Sequence, residues 1–145
     1  MDRDSGSMDF PIWLIGDSSP ARWEAHLEDP LDSRHPARHN IWTPILAGIQ
    51  SHLFSSLRSR LVTNDLYIRN AVHNAREKPS GRVVEWSPRL KEETRELGRL
   101  LAVHSPRLVL SFGAFAFEFA RRSCDEDPKR AFGYWSTERL GQQFR

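Results

Sequence analysis

Residues 11–20 read Pro-Ile-Trp-Leu-Ile-Gly-Asp-Ser-Ser-Pro, an unbroken apolar run that stops at a glycine, an acid and two hydroxyl residues. A short apolar run followed by turn residues is typical of a central parallel strand that is buried on both faces. In open α/β sheets, ligands bind beyond the carboxyl ends of the strands. We therefore expect residues 16–19 to lie where a ligand binds, although a simple turn in which Asp17 or Ser18 caps a helix explains the same pattern.

The size and composition of the chain limit the classes of protein to which it can belong. Its 145 residues suffice for one domain with one core, and 21 Lys and Arg against 19 Asp and Glu do not by themselves indicate a nucleic-acid partner. The single cysteine, Cys124, excludes an internal disulfide, an iron–sulfur cluster and a cysteine-rich zinc site, so we expect no metal and no cofactor. We find no membrane-spanning stretch and no signal-peptide apolar region, and we expect a cytoplasmic protein. A frayed lead-in is expected over residues 1–9 and a single α/β domain over residues 10–145.

Beyond the first strand, helix and strand patterns alternate along the chain. Strands are predicted over residues 65–72 and 107–112, the second of them fully buried, and helices over residues 21–27, 43–57, 87–105, 114–122 and 136–144. Thr43-Pro44 reads as a capping residue followed by proline at the first helical position, and Ser87-Pro88 opens the helix over residues 87–105. Strands that alternate with helices make a parallel sheet with helices on both faces. The predicted fold class is therefore α/β, a three-layer α/β/α sandwich with a short parallel sheet.

One acidic residue, Glu118, lies within the aromatic-rich helix predicted over residues 114–122. An unpaired buried carboxylate costs too much free energy to persist in a folded protein. We therefore expect Glu118 to pair with Arg121 or Arg122.

Polar residues follow the second predicted strand, as they follow the first. Asn70 and His73 lie at or just beyond the end of the strand over residues 65–72. Because the carboxyl ends of parallel strands meet at one edge of a sheet, these residues are expected on the same rim as Asp17. Residues 28–40 read as a loop interrupted by prolines, in which Arg34, Arg38 and His39 concentrate positive charge, and we interpret that loop as functional.

Three segments occur in one order: Gly16-Asp17-Ser18-Ser19-Pro20 after a strand, Leu-Tyr-Ile-Arg-Asn-Ala-Val-His over residues 66–73, and Ser-Pro-Arg-Leu-Val-Leu-Ser-Phe-Gly over residues 105–113. Together they resemble the uracil-DNA glycosylase superfamily, and most closely the branch whose first motif reads Gly-Glu-Ala-Pro-Gly. The resemblance covers roughly residues 11–122. It implies a uracil-DNA glycosylase-like fold, DNA as the partner in single-stranded or flipped-base form, and excision of a damaged base by hydrolysis of the N-glycosidic bond.

The resemblance also implies a role for each matched residue. Asp17 takes the place of the motif's carboxylate, which orients or activates water for attack on the anomeric carbon through an oxocarbenium-like state. Asn70 reads the base, because its amide offers one donor and one acceptor to the O4 and N3–H of uracil. Trp42 either stacks on the extruded base or serves as a core aromatic. The phosphate-binding residues are Gly16, Ser18, Ser19, Arg34 and Arg38, and His39 and His73 are additional candidates.

The chain departs from the family pattern in three respects. The branch typically carries four cysteines for an iron–sulfur cluster, whereas this chain has one. The motif's second glycine is absent, and Pro20 comes one position later than in the motif. The superfamily completes its sheet with a fourth strand and a His-Pro-Ser type motif, but no histidine here follows a late strand. Either the sequence stops before that element or the domain lacks it, and whether the chain is active as given stays open.

Two alternatives remain. Gly16-Asp17-Ser18 also resembles the opening block of the Gly-Asp-Ser hydrolases, in which the serine is an acyl nucleophile that needs a general base. That family supplies the base from a late Asp-x-x-His, which is missing here. The second alternative is a non-catalytic module that binds nucleic acid, or that binds a protein partner or a second copy of itself at an open sheet edge.

Overall fold

The structure of the protein is a computed structural model that describes residues 4–18, 42–62, 65–73 and 75–143. The described chain contains four strands, β1 (Asp4–Ser5), β2 (Ile12–Gly16), β3 (Tyr67–Asn70) and β4 (Leu108–Ser111). It contains four α-helices, α1 (Thr43–Leu57), α2 (Pro88–His104), α3 (Ala114–Ser123) and α4 (Thr137–Gln143), and short 3₁₀ turns at Ala75–Glu77 and Phe132–Tyr134. Over these residues, no helix combines the length and the apolar character that crossing a membrane requires.

The four strands form one sheet in the order β1-β3-β2-β4. The central strand β2 pairs in parallel with β3 on one side and with β4 on the other. Trp13, Leu14 and Ile15 of β2 are fully buried, because helices cover both faces of this strand. The α/β class and the buried central strand predicted from residues 11–16 are therefore confirmed.

The expectation of an entirely parallel sheet is wrong, because β1 pairs antiparallel with β3. Asp4 lies opposite Arg69, and the Tyr67 hydroxyl donates a hydrogen bond to the Asp4 carboxylate. Burial, together with that hydrogen bond, raises the pKa of Tyr67 well above its ordinary value, so the phenol stays a neutral donor. The expected frayed lead-in over residues 1–9 is thus wrong for residues 4 and 5, which satisfy the backbone groups on the outer edge of β3.

Helices pack on both faces of the sheet, as predicted. Alternate residues of β2 and β3 point to opposite faces, so each face has its own core. One core joins α1 to the sheet and contains Leu14, Ile68, Trp42, Leu66, Ile45, Leu46 and Ile49. The other joins α2 and α3 to the sheet and contains Trp13, Ile15, Tyr67, Leu90, Leu97, Phe115 and Phe119.

The helix predictions agree closely with the observed boundaries. The Ser87 hydroxyl accepts a hydrogen bond from the Leu90 backbone N–H at 3.3 Å and so caps α2, as its Ser-Pro start indicated. The α1 start differs by one residue, since Thr43 is already helical and Trp42 is the cap. The apolar stripe of α1 is not buried over its whole length, because Leu57 is 68% exposed.

Residues 107–112 were predicted to form a fully buried strand. The strand is present, but the prediction that it is buried is wrong. This strand, β4, lies at the edge of the sheet, and Leu108 is 45% exposed. A continuous apolar run therefore marks this strand without distinguishing an edge from a centre. The predicted helix over residues 21–27 and the predicted loop over residues 28–40 lie outside the described residues.

Candidate functional site at the strand ends

Asp17 and Asn70 lie at the same rim of the sheet. Gly16, the last residue of β2, is directly opposite Asn70, the last residue of β3, in the parallel pair. Backbone pairing continues past the strand ends, since the Ala71 N–H donates to the Gly16 carbonyl at 2.8 Å and the Val72 N–H donates to the Asp17 carbonyl at 3.3 Å. The rim predicted from sequence therefore brings Gly16, Asp17 and Asn70 together.

The side chain of Asn70 lies over the backbone of Gly16. A Cβ atom added at Gly16 would overlap the Asn70 Oδ1 and would lie 2.9 Å from the Trp42 Cζ2. Gly16 is not among the glycines with a positive φ, so its role is to allow side chains to approach the backbone closely, not to form a turn that needs glycine. Because Gly16 has no side chain, the Asn70 amide and the Trp42 ring can both lie close to the end of β2.

Trp42 belongs to the core on the α1 face. It is 2% exposed, and its ring packs edge to face against Phe112, with the ring centroids 5.5 Å apart. Of the two roles expected for Trp42, this position favours the core aromatic. The Trp42 ring also approaches Gly16, on the side of the backbone where the Asn70 amide lies.

Asp17 forms an ion pair that sequence reasoning did not identify. The Lys78 Nζ lies 2.7 Å from Oδ1 and 2.8 Å from Oδ2 of Asp17, and the Ser18 hydroxyl donates to Oδ1 at 2.8 Å. The side chains of Asp17 and Lys78 are 32% and 24% exposed, so the pair remains accessible from solvent. Nothing in the local sequence indicates the contact, because 61 positions separate the two residues.

The two halves of the site reach the rim from opposite faces of the sheet. Asn70 lies over Gly16, which the Trp42 ring of the α1 face also approaches, whereas the partner of Asp17, Lys78, contacts Phe115 on the face covered by α2 and α3. The end of β4 adjoins them, since a Cβ at Gly113 would lie 3.8 Å from the Asp17 Oδ2. Three parallel strand ends therefore converge around the Asp17 carboxylate.

A cavity of about 370 Å³ opens beside Lys78, between the 3₁₀ turn that follows β3 and the start of α2. Its lining includes Arg76, Glu77, Lys78, Arg89 and Glu93. A larger cavity of about 640 Å³ lies between α2 and the end of α3, away from the strand ends. None of Asp17, Asn70 and Lys78 lines that larger cavity, so we place the functional site at the rim.

The remaining expected site residues are only partly described. Ser18 is described, and its hydroxyl is bound to Asp17. His73 is half-buried, three positions beyond Asn70. Ser19, Arg34, Arg38 and His39 lie outside the described residues.

Neither a serine nor a cysteine nucleophile is assembled in the described chain. None of the described histidines, His52, His73 and His104, is hydrogen-bonded to Ser18, whose hydroxyl instead donates to a carboxylate. Burial, with the neighbouring acids Glu126 and Asp125, raises the pKa of the Cys124 thiol. That thiol is therefore mainly protonated at neutral pH and is a poor nucleophile.

Comparisons with known proteins add no family to this picture. No model of a protein family matches the chain, and a comparison with curated proteins gives no match either. The functional argument therefore depends on the residues at the rim and on their geometry.

Proposed function

We propose that the protein is a uracil-DNA glycosylase-like enzyme, which hydrolyses the N-glycosidic bond of a damaged base that has been turned out of DNA. One observation carries the proposal: Asp17 directly follows the last residue of β2 and Asn70 is the last residue of the adjacent parallel strand β3, so an acid and an amide lie at the same rim. The finer fold class is part of the proposal, with three parallel strands arranged as in a uracil-DNA glycosylase-like sandwich.

The carboxylate of Asp17 suits the charge that develops on the sugar. Cleavage of the glycosidic bond passes through an oxocarbenium-like state, which a nearby carboxylate stabilises while it positions the attacking water. Asp17 is one third exposed and lies beyond the end of the central strand, so both a sugar and a water can reach it.

The amide of Asn70 suits the Watson–Crick edge of uracil. An amide discriminates bases only if its orientation is fixed, so that the donor and the acceptor stay in known places. The Asn70 Oδ1 packs against the backbone of Gly16, which the Trp42 ring also approaches, and this packing limits the positions of the side chain. Fixed in this way, Asn70 accepts from N3–H and donates to O4 of uracil.

DNA is the proposed partner, in single-stranded or flipped-base form. The backbone at Gly16 and the Ser18 hydroxyl lie beside Asp17, where a phosphate flanking the extruded nucleotide would pass. Phosphate contacts from Ser19, Arg34 and Arg38 stay predictions, as does a role for His39.

The test is an excision assay on single-stranded oligonucleotides that carry one uracil, hypoxanthine or xanthine, with a thymine oligonucleotide as the substrate control. We expect release of the free base and an alkali-labile abasic site from at least one damaged strand. Asp17→Asn should abolish this release, because it removes the negative charge of the side chain and keeps its size and shape. Asp65→Asn is the matched control, since Asp65 is an exposed acid of the same type away from the rim.

Excision that Asp17→Asn leaves unchanged would contradict the proposal. Binding of the oligonucleotides without release of any base would support instead the non-catalytic module. If the protein neither releases a base nor binds the oligonucleotides, the exposure of Leu108 on the edge strand β4 favours a protein contact instead.

A further inference from the structure

We infer that Lys78 stabilises the negative charge that develops on the departing base. The inference rests on the proposed function and adds a residue that none of the three sequence segments contains. It adds a cationic group to the proposed catalytic residues, in which the carboxylate of Asp17 is otherwise the one charged group.

Cleavage of the glycosidic bond produces one positive and one negative charge, and the ion pair of Asp17 and Lys78 supplies a group of opposite sign for each. When the glycosidic bond breaks, its electron pair leaves with the base, so the anomeric carbon becomes positive and the base becomes negative. Water then adds to the anomeric carbon and loses a proton, and the base anion takes up a proton. A carboxylate and an ammonium 2.7 Å apart can therefore face the two developing charges at the same time.

Two aromatic rings also hold the ammonium of Lys78 in place. Its Nζ lies 5.2 Å from the centroid of the Phe115 ring and 5.5 Å from that of the Phe132 ring. Both rings attract a cation through their negative faces, and they come from α3 and from the 3₁₀ turn at 132–134. A flexible lysine is thereby positioned before the substrate arrives, which a transition-state contact requires.

Lys78 also borders an open space. It lines the cavity of about 370 Å³ between the 3₁₀ turn at Ala75–Glu77 and the start of α2, and one quarter of its side chain is exposed. Arg89 lines that cavity as well, but its Nη2 lies 3.2 Å from the Glu77 Oε1 and belongs to a separate ion pair. Lys78 thus contacts Asp17 and remains accessible from solvent.

The test measures how strongly excision depends on the leaving group. Single-turnover rates are measured for uracil and for 5-fluorouracil, whose ring anion is more stable, with the wild-type protein and with Lys78→Met and Lys78→Arg. We expect Lys78→Met to slow uracil release by about 10²–10³-fold, the usual effect of losing one electrostatic contact to the transition state. The loss on 5-fluorouracil should be much smaller, and Lys78→Arg should recover most of the uracil rate.

Lys129→Met is the matched control, since Lys129 is an exposed lysine away from the rim, and it should leave both rates unchanged. Equal losses on the two bases in Lys78→Met would overturn the inference and leave the proposed function intact, because Lys78 would then act only by positioning Asp17. Unchanged rates in Lys78→Met would also overturn it. Failure of the wild-type protein to release either base would overturn the proposed function, and this inference with it.

Discussion

Gly16 and Asn70 lie opposite each other in the parallel pair of β2 and β3, and the amide oxygen of Asn70 occupies the space that a Gly16 side chain would fill. The arrangement at the end of the central strand therefore depends on Gly16 having no side chain. Any side chain at position 16 competes directly with the side chain that we propose as the base reader.

Gly16→Ala tests this relationship. The added methyl group overlaps the Asn70 Oδ1 and would lie 2.9 Å from the Trp42 Cζ2, so the amide must move and the buried Trp42 ring must shift slightly as well. A displacement of about 1 Å in a positioning group typically costs about 10²-fold in rate, and we expect a loss of that order in uracil excision. The measurement is the single-turnover excision rate together with the melting temperature.

The control for Gly16→Ala is Gly48→Ala in α1, where an added Cβ meets nothing within 4 Å. Alanine in a helix interior is favoured over glycine by about 1 kcal/mol, so this variant should melt at a slightly higher temperature and keep its activity. Full activity in Gly16→Ala would show that Asn70 does not need its observed position.

Ser18→Ala separates the glycosylase proposal from the serine-hydrolase alternative. The Ser18 hydroxyl contributes one hydrogen bond to the Asp17 carboxylate, and a hydrogen bond to a charged group contributes about 1.5–3 kcal/mol. We therefore expect Ser18→Ala to slow uracil excision by no more than about 100-fold and not to abolish it. Labelling of the wild-type protein at Ser18 by a serine-directed fluorophosphonate probe, with loss of activity in Ser18→Ala, would instead favour an acyl nucleophile.

Glu118 connects α3 to the segment that supports Lys78. Its carboxylate accepts from Arg122 Nε at 2.9 Å, from Trp135 Nε1 at 2.7 Å and from the Arg130 N–H at 2.8 Å, and it is fully buried. Removing one partner from a buried ionic network leaves the others uncompensated, which costs about 3–5 kcal/mol. Glu118→Ala should lower the free energy of unfolding by that amount in urea denaturation.

Glu126→Ala is the matched control for Glu118→Ala. Glu126 also contacts Arg121, at 3.0 Å, but its side chain is 56% exposed, and exposed ion pairs contribute less than about 1 kcal/mol. Equal destabilisation by the two substitutions would mean that burial of Glu118 does not determine its contribution.

The sequence predicted the elements whose patterns are strictly local. The apolar run before Gly16 marked the central strand, and the Ser-Pro start marked the beginning of α2. The expected partners of Glu118, Arg121 and Arg122, are both confirmed, at 3.1 and 2.9 Å, because an isolated carboxylate among aromatic residues has few other solutions.

Features that depend on distant residues were not predictable in this way. The antiparallel strand β1 has two residues, too few for any periodicity, and its place depends on the free edge of β3. The exposure of β4 follows from its place in the strand order, which an apolar run does not encode. Lys78 lies in a loop, and only the fold brings it to Asp17 and to the rings of Phe115 and Phe132.

The central claim is that Asp17 and Asn70 act on one nucleotide, and Asn70→Asp tests it most directly. A carboxylate at position 70 accepts from the 4-amino group of cytosine but cannot donate to O4 of uracil. Base discrimination of about 1–3 kcal/mol per contact should shift the ratio of cytosine to uracil release by about 5- to 150-fold.

The same measurement is repeated in Asn70→Asp combined with Asp17→Asn, which should lose the new cytosine release completely. Loss in the double variant is expected because the base reader and the carboxylate then serve the same extruded nucleotide. An unchanged base preference in Asn70→Asp, or cytosine release that persists without the Asp17 carboxylate, would contradict the account.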